Sequence, residues 1–183
     1  EIWGALANGA ALVLGGNANM ADPADLAEQI RSYQVSTLFM TTSYFNQMAD
    51  APYDVFSGVR QLLTGGERAS VFHIRKVRRR WPELRLIHVY GPTENTTFST
   101  YYPLTDHEAG DPPLGWPIRG GGIAVLDRAG NPVPPGVAGE ICLWGDGLAR
   151  GYRNRPDENQ ARFVPLPGGK GRMYRSGDLC TFD

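Results

Sequence analysis

The residues best suited to do chemistry lie in one segment, His88-Val89-Tyr90-Gly91-Pro92-Thr93-Glu94. Gly91-Pro92 turns the chain sharply and offers no side chain that would block a ligand. Thr93 brings a hydroxyl and an exposed amide from which a phosphate could accept hydrogen bonds. Glu94 is a carboxylate at the same place, suited to holding Mg²⁺ rather than a phosphate directly. Tyr90 adds an aromatic face and a hydroxyl. A plain turn at a strand end needs the glycine and the proline; it does not need Thr-Glu. Two further segments carry weaker signals. In Leu62-Leu63-Thr64-Gly65-Gly66-Glu67 the paired glycines let the backbone approach a flat ring. In Tyr174-Arg175-Ser176-Gly177-Asp178-Leu179 one carboxylate, Asp178, could accept both hydroxyls of a vicinal diol such as a ribose.

Other residue groups have blander readings. The basic run Arg75, Lys76, Arg78, Arg79, Arg80 reads as the solvated face of an amphipathic helix, with Val71, Ile74 and Val77 on its other face. His73, His88 and His107 have no metal-ligand spacing, and Cys142 and Cys180 show no CxxC pattern; both thiols read as reduced. Gly168-Gly169-Lys170-Gly171-Arg172 lacks the full phosphate-loop pattern and reads as a hairpin turn. Asn95-Thr96-Thr97 fits a glycosylation acceptor but has no secretory signal to give it meaning.

The elements that must position these groups alternate between helix and strand over residues 1–103. Strands are expected at 11–14, 36–40, 59–63 and 84–90, with helices at 1–6, 22–33, 42–49 and 70–80. Such alternation predicts parallel βαβ units, in which ligands gather at the C-terminal ends of strands. Residues 104–183 are denser in glycine and proline and carry short strands at 123–126, 139–144 and 173–175, with a helix at 155–163. This pattern predicts a small β-rich subdomain, a distorted barrel or antiparallel sheet. The fold class is therefore α/β, parallel strand–helix units followed by a β-rich part.

Eighteen basic residues balance nineteen acidic ones, a net charge of -1. A nucleic-acid or membrane-surface protein needs a net positive field, so neither partner is expected. No apolar run reaches the roughly 18 residues that span a bilayer, and no signal peptide is visible. The expected location is cytoplasmic. The chain opens within a helix and stops within a strand, which reads as a fragment.

The three site segments occur in one order with a fourth, Gly139-Glu140-Ile141-Cys142-Leu143-Trp144-Gly145-Asp146-Gly147-Leu148-Ala149-Arg150-Gly151-Tyr152. Together they closely resemble the adenylation domains of non-ribosomal peptide synthetases, within the adenylate-forming superfamily of acyl-CoA synthetases and luciferases. The resemblance covers essentially all 183 residues. It implies a partial adenylate-forming enzyme fold, a fragment of the large N-terminal subdomain. The implied reaction activates an amino acid with ATP and Mg²⁺ as an aminoacyl adenylate. The aminoacyl group then passes to the phosphopantetheine thiol of a peptidyl carrier domain, in antibiotic or siderophore biosynthesis.

Carried over by the resemblance, Tyr90 stacks on adenine, Gly65, Gly66 and Glu67 line the other side of the base, and His88 faces the adenine amino group. Gly91 belongs to the same nucleotide site. Thr93 contacts the α-phosphate, Glu94 holds Mg²⁺, and Asp178 binds the ribose hydroxyls. The amino-acid pocket is implied at Phe39, Leu63, Gly65, Val89, Thr97 and Phe98. No charge is among them, so acidic and basic substrates are disfavoured. The set resembles pockets for branched aliphatic residues, isoleucine first, then valine or leucine. The family's phosphate loop, the Asp that pairs with the substrate amino group, and the C-terminal domain with its lysine are not in the chain. The fragment alone is therefore expected to be inactive without the remaining adenylation-domain segments. A small activator protein is a further partner of this family. The alternatives are an acyl- or aryl-acid-activating ligase and a non-catalytic excised subdomain.

Overall fold

A computed structural model describes residues 2–15, 19–105, 110–169 and 171–182. Gly16, at the end of the first expected strand, His107 and Lys170 lie outside the described residues. The chain forms two compact units, Glu1–Val89 with Tyr102–Pro113, and Tyr90–Tyr101 with Leu114–Asp183. The segment 90–101 thus groups with the later residues and 102–113 with the earlier ones, where the sequence pattern alone places one cut at 103/104.

The first unit begins with helix α1, Ile2–Ala7. Residues 11–14, expected as a strand, pair with nothing among the described residues, and Leu14 is 76% exposed. An apolar run becomes a strand only where a neighbour supplies the ladder. Helix α2, Pro23–Ser32, starts where expected: Asp22 Oδ1 accepts the Ala24 amide at 2.8 Å, and proline occupies the first turn. Then follow strand β1, Thr37–Thr41, helix α3, Thr42–Asp50, strand β2, Gln61–Gly65, helix α4, Val71–Arg80, and strand β3, Arg85–Tyr90.

Strands β1, β2 and β3 are parallel, with Phe39 opposite Leu63 and Leu63 opposite Ile87. Because side chains alternate along a strand, the register sorts them into two faces. Leu38, Met40, Leu62 and Leu86 take one face and join the core with Leu26, Ile30, Phe45, Met48, Ile74 and Val77. Phe39, Leu63, Gly65, Ile87 and Val89 take the other. Ile74 and Val77 are buried while Lys76 reaches Asp50 at 2.7 Å and Arg80 stacks over Trp81 at 4.5 Å. The basic run is thus the outer face of α4, as its spacing predicts.

In the second unit Thr100 and Tyr101 of β4, Thr100–Pro103, pair antiparallel with β5, Trp116–Pro117. Strands β6, Gly121–Leu126, β7, Gly139–Gly145, β8, Phe163–Pro165, and β9, Arg172–Cys180, build an antiparallel sheet in the order β6-β7-β9-β8. Helix α5, Pro156–Arg162, precedes β8. Leu126, Cys142 and Met173 form its small core, with Ala124, Trp144, Val164 and Leu166 packed against them. The turn between β8 and β9 is the expected hairpin, closed by the Leu166 amide on the Gly171 carbonyl at 3.1 Å.

Candidate active site

In the first unit the candidate residues sit where β2 and β3 end. Gly65 lies opposite Val89. A Cβ at Gly65 would stand 2.0 Å from the Val89 carbonyl oxygen, so the strand pairing itself demands glycine there. Gly66 has a different reason: its φ is +96, and a Cβ would meet nothing within 4 Å. The pair therefore divides its work, one glycine for close packing and one for backbone shape. The Glu67 carbonyl accepts the Thr42 hydroxyl at 3.1 Å, which fixes the turn to the start of α3.

Phe39, Leu63, Gly65 and Val89, expected to line one pocket, lie on one sheet face in adjacent register. Phe39 and Leu63 are half-buried and Val89 is buried. His88 points to the other face, opposite Thr64. It is 6% exposed, and its Nδ1 lies 3.2 Å from the Pro113 carbonyl. A carbonyl can only accept, so Nδ1 carries the proton and Nε2 is left as an acceptor. Burial pulls the His88 pKa below its usual 6.5, against the Pro113 carbonyl, which raises it.

In the second unit the Tyr90-Gly91-Pro92-Thr93-Glu94 segment closes into a tight loop. Thr93–Asn95 form one 3-10 turn. The loop returns at once, with the Ser99 amide on the Tyr90 carbonyl at 2.8 Å. A Cβ at Gly91 would meet the Ser99 nitrogen at 2.5 Å and the Thr97 oxygen at 2.6 Å, so the return path is open only to glycine. Thr96 and Thr97 have φ of 48 and 70, two successive non-glycine residues in the left-handed region. Such strain persists only where surroundings over-determine it. Here the Thr96 hydroxyl donates to the Gly147 carbonyl at 2.5 Å, and the Ala149 amide to the Glu94 carbonyl at 2.8 Å. Asn95 is 5% exposed and gives its amide to Ser99 at 2.9 Å, so it is no glycosylation acceptor in this fold.

The Glu94 carboxylate accepts the hydroxyl of Tyr152, which stands 3.1 Å from the Tyr174 hydroxyl. Burial pushes the Glu94 carboxyl up, but hydrogen bonds from Tyr152, its own amide and Tyr174, with the charge of Arg162, bring it below the usual range. The Tyr90 hydroxyl donates to Asp178 Oδ2 at 2.6 Å. Burial and that carboxylate push the Tyr90 phenol well up, so it stays protonated. Asp178 keeps its other oxygen for a further donor.

Sequence spacing names Tyr90, Glu94 and Asp178, and the structure links Tyr90 to Asp178 directly. Tyr152, Tyr174 and Glu140 lie inside motif segments, but spacing gives them no role, and it misses Pro113 altogether. All four lie far along the chain from the groups they touch. Among the described residues no group of three or more His, Cys, Asp or Glu could hold a metal by itself, and no helix is long and apolar enough to cross a membrane.

The family described as AMP-binding enzyme matches residues 1–153. Over 185 residues the chain is 44% identical to bacitracin synthase 1 of Bacillus licheniformis, covering 100% of this chain and 4% of that protein. Over 183 residues it is 42% identical to tyrocidine synthase 3 of Brevibacillus parabrevis, covering 100% of this chain and 3% of the relative. Among solved structures it resembles PA1221, an NRPS protein containing adenylation and PCP domains, with 43% identity and a TM-score of 0.93 over 100% of this chain and 38% of that one. The holo form of PA1221 bound to a vinylsulfonamide inhibitor gives 42% identity and a TM-score of 0.95, over 100% of this chain and 32% of that one. The chain thus spans a small part of the length of the curated relatives it matches.

Proposed function

The chain belongs to the AMP-binding enzyme family, and from that premise we propose that it is part of an amino-acid adenylation domain of a non-ribosomal peptide synthetase. The single observation that carries this reading is the Glu94 carboxylate. It sits in a strained loop, held ionised by tyrosine hydroxyls, immediately after a hydroxyl and a glycine turn. A structural carboxylate needs no such loop.

In this reading Tyr90, Gly91, Gly65, Gly66, Glu67 and His88 take the adenine. His88 is suited to its role, since its bare Nε2 can accept from an exocyclic amino group. Thr93 donates to the α-phosphate and Asp178 accepts from the ribose hydroxyls. Glu94 would hold Mg²⁺. A lone carboxylate fits that ion, which keeps several waters and takes its remaining ligands from substrate phosphates. When bound, the ion offsets phosphate charge as the pyrophosphate leaves. Thr93 orients the α-phosphate for in-line attack by the amino-acid carboxylate.

The substrate is a branched aliphatic amino acid, isoleucine first and then valine or leucine. Support comes from Phe39, Leu63, Gly65 and Val89, which share one sheet face with Ile87, while Arg85 of that face stands at the opposite end of β3, four residues before Val89. Thr97 and Phe98 complete the expected set. An apolar wall separates chains differing by one methylene by only about 1–3 kcal/mol, so overlap among the three substrates is expected. The product is passed to a phosphopantetheine thiol of a carrier domain, as the PCP domain of the PA1221 neighbour suggests. The test is ATP–pyrophosphate exchange by the full-length enzyme across twenty amino acids. Best activity with Asp, Lys or Tyr would sink the substrate assignment.

A further inference from the structure

Strand β9 does not run straight past β7. The register steps from Glu140 opposite Leu179 to Cys142 opposite Arg175. One residue of β7, Ile141, therefore faces three of β9: Ser176, Gly177 and Asp178. Extra residues in a ladder form a bulge, which re-aims a side chain but leaves backbone donors to be satisfied.

Here the Gly177 and Asp178 amides both have side-chain partners. The Ser176 hydroxyl donates to the Ile141 carbonyl at 2.8 Å, and the Asp178 amide donates to the Ser176 hydroxyl oxygen at 3.0 Å. The Gly177 amide donates to Glu140 Oε1 at 2.9 Å. The other Glu140 oxygen, Oε2, accepts Nε and Nη2 of Arg175 at 2.9 and 2.5 Å. The Glu140 side chain is 14% exposed. One carboxylate thus ties both strand and bulge, gripping the residues on either side of Ser176. Asp178 follows at once, exposed, with Oδ2 on the Tyr90 hydroxyl.

We infer that Glu140 is a positioning residue for nucleotide binding, which sets the bulge so that Asp178 presents its carboxylate to the ribose hydroxyls. This rests on the adenylation reading above. An ion pair kept only for fold stability needs Arg175. It does not need the second oxygen committed to the backbone amide next to Asp178. Three charge-assisted hydrogen bonds on one half-buried group hold that backbone more tightly than a turn alone would.

Glu140→Gln tests the claim, because it keeps the shape and removes an acceptor. Gln has one acceptor oxygen where Glu140 uses two, so either Gly177 or Arg175 must face an NH₂ group. In the full-length enzyme, E140Q is expected to raise the KM for ATP about tenfold, the scale of one charged hydrogen bond. The KM for 2′,3′-dideoxy-ATP, which lacks the hydroxyls, and that for the amino acid stay near wild type. Ser176→Ala, which removes the hydroxyl that ties the same bulge to the Ile141 carbonyl, shows the same selective loss and stands in if E140Q fails to fold. Equal losses on ATP and dideoxy-ATP, or none, overturn the positioning role. Asp178→Asn is the control. If it too fails to separate the two nucleotides, the ribose assignment of Asp178 is wrong and the inference falls with it. If it separates them while E140Q and S176A do not, only the inference falls.

Discussion

Tyr152 donates its hydroxyl to the carboxylate of Glu94, and Tyr174 stands 3.1 Å behind it. The pair, with the charge of Arg162, explains how a partly buried carboxylate stays ionised. It also means that Glu94 does not turn freely, since one of its oxygens is committed. Orientation of a metal ligand by a hydrogen-bonding neighbour typically matters by about 10–100-fold in metal affinity.

Tyr152→Phe removes the donor and keeps the ring, which packs edge-on against Phe163 at 5.5 Å. In the full-length enzyme the Mg²⁺ concentration for half-maximal pyrophosphate exchange should rise about tenfold. The KM for the amino acid should not move. A magnesium titration on wild type and Y152F at saturating amino acid checks this; an unchanged midpoint contradicts the role given to Tyr152.

Gly65 and Gly66 should differ sharply when each is replaced by alanine. At Gly65 the new Cβ meets the Val89 carbonyl oxygen at 2.0 Å, and backbone on both strands must part. A loss of about 3 kcal/mol or more is expected, the upper range for overpacking. At Gly66 there is open space, and the loss is the roughly 1–2 kcal/mol of a left-handed backbone. Urea midpoints of the two variants read this directly. Equal losses would mean that the β2–β3 pairing relaxes freely at its end.

His88 gives the acid side of the stability curve a defined slope. Burial holds its folded pKa below the unfolded value of 6.5. The unfolded chain therefore binds the proton more readily. This contribution is fully present above pH 6.5 and is lost as pH falls from there towards the folded pKa. His88→Asn should remove that part of the pH dependence and leave stability above pH 7 to set the difference between the proteins. Urea unfolding at several pH values between 5 and 8 measures it, and parallel curves for the two proteins would contradict the burial argument.

Much of this was legible because it is local. The cap at Asp22, the stripe Ile74 and Val77, and the strand ends at Gly65 and Tyr90 announce themselves within a few residues. The run at 11–14 misleads for the same reason: apolar content is local, but a strand also needs a partner. Strands β5 and β8 have two and three residues, too few for any period to show. The links that tune the site are non-local by nature. Tyr152 is 58 residues from Glu94, and Arg175 is 35 from Glu140. Only strand register brings such residues together, and register past the bulge at Ile141 cannot be counted from sequence. The left-handed pair Thr96 and Thr97 escaped notice because threonine rarely adopts that backbone.

On the proposed reading these residues serve the ATP-dependent activation of an amino acid. ATP–pyrophosphate exchange by the full-length enzyme, with wild type beside Glu94→Gln, tests it most directly. Exchange should depend on isoleucine, valine or leucine and fall by about 100-fold or more in the variant, as for loss of a metal-site contact. Exchange that needs no amino acid, or that E94Q supports as well as wild type, would contradict it.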